Sequence, residues 1–64
     1  MKAKVRFKEN GVYRTKTVEV EKNEPCTIVR KFIEVTNLPR YTYITTVKCG
    51  RTEYQWFGDA KGAF

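Results

Sequence analysis

At 64 residues the chain holds one domain at most. A chain this short buries only about 60% of its unfolded surface, so nearly every large apolar side chain is needed inside. Thirteen basic residues against seven acidic ones give a net charge of +6, and the absence of both His and Ser removes Ser-His and Cys-His nucleophilic catalysis.

No apolar run is long enough to span a bilayer and no charged-then-apolar leader opens the chain, so a soluble cytoplasmic protein without membrane association is expected. Cys26 and Cys49 lack a CxxC spacing and are too few for a disulfide framework, which makes reduced packing thiols the expectation. With no His and no second cysteine pair, neither a metal site nor a cofactor is expected. No GxxxxGK[ST] or GxGxxG run occurs. These absences together point to a non-enzymatic protein.

The opening KAKVRFK alternates strictly, with Ala3, Val5 and Phe7 on one face and Lys2, Lys4, Arg6 and Lys8 on the other. That is the period of a half-buried strand. Asn10-Gly11 follows as a hairpin turn signal, and VYRTKTVEVEK returns as a β-branched second strand. A plain two-residue turn sets Phe7 opposite Arg14 and Val5 opposite Lys16, apolar against basic. An irregularity within residues 9 to 16, turning Val18 and Val20 inward, is therefore expected.

Ile28, Val29, Phe32 and Ile33 then recur at helical spacing, with Asn23 as a capping residue, Glu24 and Pro25 at the first turn, and Asn37-Leu38-Pro39 as a stop. The spacing predicts a helix over roughly 24 to 36.

The stretch from Arg40 to Phe57 holds five of the nine aromatics. With Gly50-Arg51 at the tip of a second hairpin, Lys48 meets Glu53, Val47 meets Tyr54, Thr45 meets Trp56 and Ile44 meets Phe57. One face then carries Tyr41, Tyr43, Val47, Tyr54 and Trp56. The other is polar, with Ile44 and Phe57 as apolar exceptions. The aromatic face is the natural one for the helix to cover, with Tyr41 and Tyr43 nearest to being exposed. Residues 58 to 64 read as a flexible tail. The expected architecture is a single α+β domain over residues 1 to 57, an antiparallel ββαββ sheet with one helix on one face. The alternative is a small all-β barrel of SH3-like type.

MKAKVRFKENGVYRTKTVEV resembles the first hairpin of the small basic chromatin proteins of thermophilic archaea, which share a K-x-K-x-F-K-type alternation, a glycine turn and a returning strand. Residues 21 to 64 lack that family's basic second segment and C-terminal helix, so no functional residue is carried over.

The charge itself is unevenly placed. Residues 1 to 16 hold Lys2, Lys4, Arg6, Lys8, Arg14 and Lys16 against Glu9 alone, a local +5. The four cations of the first strand form a row of roughly 20 Å at about 3.3 Å per residue. Such a row suits a polyanion backbone, with a log–log salt slope near −3.6 on duplex DNA if each cation neutralises one phosphate, from about −0.9 per contact. The expected partner is DNA or RNA, held with low sequence specificity by Lys2, Lys4, Arg6 and Lys8. Arg14 and Lys16 are expected to extend the patch, and Tyr41 and Tyr43 to offer stacking. Two plainer readings stand beside it: charge that keeps a sheet edge from pairing, and an ordinary solvated face.

The alternative function is a protein-interaction or inhibitor module, of the kind small accessory or viral genes encode, binding an acidic protein through a sheet edge or aromatic surface. A homodimer burying Ile44 and Phe57 is a further possibility.

Overall fold

Two hairpins with a helix between them account for the chain, whose computed structural model describes residues 1–64. The strands are β1 (Lys2–Glu9), β2 (Val12–Glu19), β3 (Tyr43–Cys49) and β4 (Thr52–Asp59), and the helix is α1 (Pro25–Thr36). Antiparallel pairing of β1 with β3 joins the hairpins into one open sheet of order β2-β1-β3-β4, which is an α+β architecture and not a closed barrel. α1 packs on one face. No helix is long and apolar enough to cross a membrane.

The first hairpin differs from expectation. Asn10 and Gly11 both have positive φ, 52° and 79°, as a type I′ turn requires, and the pairing runs unbroken from Glu9↔Val12 to Lys2↔Glu19. No irregularity is needed, because this plain register already sets Val18 opposite Ala3, on the helix side, where it is buried. Arg14 and Lys16 do share a face with Phe7 and Val5, but they remain exposed because α1 covers β2 only at its Val18 end.

The irregularity lies in the second hairpin. Arg6 pairs with Thr46 but Phe7 pairs with Ile44, so Thr45 is an extra residue on β3, and its hydroxyl donates to the Arg6 carbonyl at 3.1 Å. On the other side Thr46 pairs with Gln55 and Ile44 with Gly58, so Trp56 and Phe57 together oppose Thr45. A bulge flips the inward and outward phase of everything beyond it. Val47 and Cys49 face the helix before it, and Ile44, at 0% exposure, faces the helix after it. Phe57 absorbs the distortion with a φ of 45°, a region bulky side chains avoid.

α1 presents Ile28, Val29, Phe32 and Ile33 to the sheet, all buried. Phe32 stacks on Phe7 with ring centroids 4.8 Å apart and planes tilted by 52°. Glu24 is the N-cap residue, without a side-chain capping bond. Asn23, expected there, instead accepts from the Tyr54 hydroxyl through its carbonyl at 3.0 Å and its Oδ1 at 2.9 Å. Asn37 ends the helix in the left-handed region (φ 60°), its N–H reaching the Ile33 carbonyl at 2.9 Å.

The C-terminal residues are part of the domain, which corrects the expected boundary at residue 57. β4 runs to Asp59, and a 3₁₀ turn, Ala60–Ala63, tucks against α1 with Ala60 and Ala63 buried. It is tied by Ala60 N–H to the Arg40 carbonyl (2.7 Å), Arg30 Nε to the Ala63 carbonyl (3.0 Å) and Trp56 Nε1 to the Asp59 carbonyl (2.8 Å). The Arg40 guanidinium lies 4.0 Å from the Phe64 ring centroid. The alanines Ala60 and Ala63 fill the space between this turn and the helix.

Two stability outcomes are expected. At about 0.05–0.15 kcal/mol per residue the domain holds only some 3–10 kcal/mol. Phe32→Ala, costing about 3–5 kcal/mol at a fully buried site, should leave little or no cooperative thermal transition by circular dichroism. Deleting residues 60 to 64 should lower the urea midpoint by the equivalent of at least about 1 kcal/mol, through the hydrogen bonds it removes. An unchanged midpoint would mean that these bonds add nothing net.

Candidate nucleic-acid interface

The pleat of β1 builds the site. Alternate side chains point to opposite sides, so while Ala3, Val5 and Phe7 are buried beneath α1, Lys2, Lys4, Arg6 and Lys8 stand on the face that no element covers. β1 lies between β2 and β3, so this row runs down the interior of the sheet and does not guard an edge.

Cross-strand register fills in the rest of the face. Lys48 of β3 sits directly opposite Lys4 and adds a fifth cation. Lys2, Lys4, Lys48, Thr17 and Gly50 line a shallow depression without a hydrophobic side chain. Thr15, Thr17 and Thr46 occupy neighbouring positions beside Arg6 and Lys4. At the far end Lys8 is flanked on one side by Tyr13 and on the other by Tyr43, both exposed. The Tyr13 ring is shared by two cations, with the Arg6 guanidinium 5.3 Å and the Lys8 ammonium 5.6 Å from its centroid.

None of the five cations is ion-paired. The salt bridges of the molecule join Glu19 to the N-terminal ammonium, Glu9 to Arg14, and Glu34 to Lys31. The acids on the open face, Glu19, Glu53 and Asp59, lie on the outer strands β2 and β4. Like charges directly opposite each other destabilise a sheet, and Lys4 facing Lys48 is such a pair.

The residues expected from sequence are therefore divided. Lys2, Lys4, Arg6, Lys8 and Tyr43 come together. Arg14 and Lys16 do not extend the patch, because the unbroken first-hairpin register puts them on the opposite side of the sheet, where Arg14 Nε reaches Glu9 Oε1 at 3.4 Å. Tyr41 lies in the turn before β3, the most exposed large hydrophobic side chain at 72%. The single aromatic face does not form: Val47, Tyr54 and Trp56 pack against the core, while the bulge at Thr45 sends Tyr43 to the open side. The same bulge buries Ile44, so an Ile44–Phe57 dimer patch does not exist on the surface.

Tyr13 and Lys48 were missed. Tyr13 was legible, since the plain Asn10-Gly11 turn places it opposite Lys8. Lys48 was not, because nothing local announces that β1 pairs with β3.

Cys26 is half-buried and Cys49 is buried, both as free thiols. No three His, Cys, Asp or Glu side chains cluster as metal ligands. No protein-family model, curated protein or solved structure matches this chain. The meaning of the open face has to come from its own chemistry.

If the unpaired cations strain the sheet, Lys4→Glu should relieve it by creating an opposite-charge pair with Lys48. The expected gain is about 0.5 kcal/mol at low salt, shrinking as salt screens the pair. Thermal melts at low and high ionic strength measure it, and a loss of stability at low salt would contradict the electrostatic account.

Proposed function

We propose that this is a non-enzymatic protein that binds nucleic acid by laying the open face of its sheet along the phosphate backbone, with little sequence specificity. The observation that carries the reading is the row Lys2, Lys4, Arg6, Lys8 with Lys48 beside it: five unpaired cations in the middle of an uncovered sheet face. Edge protection does not account for it, since the edge strands are β2 and β4. A solvated face needs only polar side chains, and threonines would serve without repulsion. Glu19 opposite Lys2 and Glu53 opposite Lys48 offset part of the charge, and a polyanion laid along the row would neutralise the rest, including the like pair Lys4–Lys48. Phosphate contacts hold and orient a nucleic acid without reading its bases, hence the low specificity.

A second reading, a protein-interaction or inhibitor module, draws on the free edge of β2, eight residues without proline that could accept a partner strand. Binding of that kind depends on backbone pairing and tolerates neutral substitutions on the open face.

Fluorescence anisotropy of labelled oligonucleotides across a salt series tests the first reading. Five phosphate contacts give a log–log slope of about −3.5 on single strands or about −4.5 on duplex, from roughly 0.7 and 0.9 per contact. Each Lys→Gln change at Lys2, Lys4, Lys8 or Lys48 should weaken binding and flatten the slope by about 0.7–0.9. Lys16→Gln, on the opposite side, should leave the slope unchanged. Affinity indifferent to all four open-face substitutions would remove this reading in favour of the second.

A further inference from the structure

We propose that the strand bound is single, its bases stacking on Tyr13 and Tyr43 to either side of Lys8, with Phe57 as a third ring beside the bulge. This rests on the nucleic-acid reading above and narrows its ligand.

The geometry of the two tyrosines carries the inference. Tyr13 and Tyr43 are the cross-strand partners of the same residue, Lys8, on β2 and β3. With strands about 4.8 Å apart, their backbones stand roughly 10 Å from each other across β1. Both rings are substantially exposed, at 50% and 41%, on a face whose other paired members are cations, threonines, Gln55 and a few acids. Rings placed next to phosphate-binding cations form the pairing of features by which single strands are held, since every unpaired base offers a flat π face. A duplex keeps those faces inside its own stack and cannot use them.

The shape of the face points the same way. Four strands at about 4.8 Å spacing span roughly 14 Å between the outer strand axes, before side chains, whereas the B-DNA major groove is about 12 Å wide and admits a helix or a two-stranded ribbon. The full sheet is wider than an undistorted major groove, so a B-form duplex meets the rings at its edges less readily than the cations on β1 and β3. A single strand can drape across the face and reach both ends, phosphates toward Lys2, Lys4 and Lys48 and bases toward Tyr13 and Tyr43.

Phe57 adds an independent observation. It is 58% exposed and held at φ 45°, where a glycine or asparagine would sit without strain. The fold tolerates a bulky ring in a strained conformation, next to the bulge that also turns Tyr43 outward.

The test uses the intact protein and four fluorescein-labelled probes of about ten units: oligothymidine, oligouridine, a mixed-sequence duplex DNA, and an abasic deoxyribose-phosphate strand. The base-bearing single strands should bind more tightly than the duplex and the abasic strand. Tyr13→Ala and Tyr43→Ala should each weaken them by roughly 5- to 150-fold, with the salt slope unchanged, since the phosphate contacts remain. Tyr→Phe should keep the affinity, and Tyr→Leu, which preserves apolar cover without a flat ring, should lose it. Phe57→Asn should hold or raise the thermal midpoint while weakening single-strand binding. Equal affinity for oligothymidine and the abasic strand, or tyrosine variants without effect, would overturn the stacking proposal and leave the phosphate reading standing. Binding of no probe at all would overturn both.

Discussion

A single amphipathic helix has four strands to cover and can cover only one side of them. That constraint organises the whole molecule. Within these residues no second layer lies beneath the sheet, and the apolar side chains of the core gather between α1 and one face. Phe7 against Phe32 is the centre of that contact, surrounded by Val5, Ile28, Val29, Ile44 and Val47, all fully or almost fully buried. The other face is left to water, and an antiparallel sheet permits this because its side chains alternate. The charged side chains of β1 are thus concentrated on a surface that contributes little to the core.

The bulge at Thr45 reconciles the two faces at the point where the sequence would otherwise mix them. Strict alternation along β3 would align Tyr43 with Val47 and Cys49 and leave Ile44 in water. The extra residue reverses the phase, so the aliphatic side chain enters the core and the phenol, whose hydroxyl gains from solvent, leaves it. The distortion crosses the sheet into β4, where Phe57 takes the strained backbone. The C-terminal 3₁₀ turn closes the core end of the same region by bringing Ala60 and Ala63 beneath α1 and holding the Trp56 indole.

How much of this was legible depends on how far each signal reaches along the chain. Signals contained within a few residues were clear: the alternation of KAKVRFK, the Asn-Gly turn, the apolar spacing from Ile28 to Ile33, and the Gly50-Arg51 turn, where Gly50 alone has positive φ as a type II′ turn requires. The pairing of β1 with β3 spans some forty residues and has no local signature, so the interior position of the basic row, and the presence of Lys48 in it, came only from the fold. The bulge was assigned to the wrong hairpin because Arg14 and Lys16 opposite valine and phenylalanine looked like a conflict. At the end of a strand that the helix does not reach, it is none. The correct signal was present in Ile44 and Phe57, two apolar residues out of phase on a polar face. The order of residues 58 to 63 rests on contacts with Arg30 and Arg40, which are distant in the chain and leave no local signal.

The alternation in β1 has one more consequence, for how the chain finds its register. Slipping β1 by a single residue would exchange its faces, pressing Lys2, Lys4, Arg6 and Lys8 against Phe32 and Ile28 and exposing Ala3, Val5 and Phe7. Burying an unpaired charge costs several kcal/mol, so two of them would outweigh the whole stability of a domain this small. β1 joins the two hairpins, and any slip in it would misalign both neighbours at once. The cations therefore proofread assembly: whatever they hold in the finished protein, they first make every off-by-one arrangement of the central strand too costly to persist.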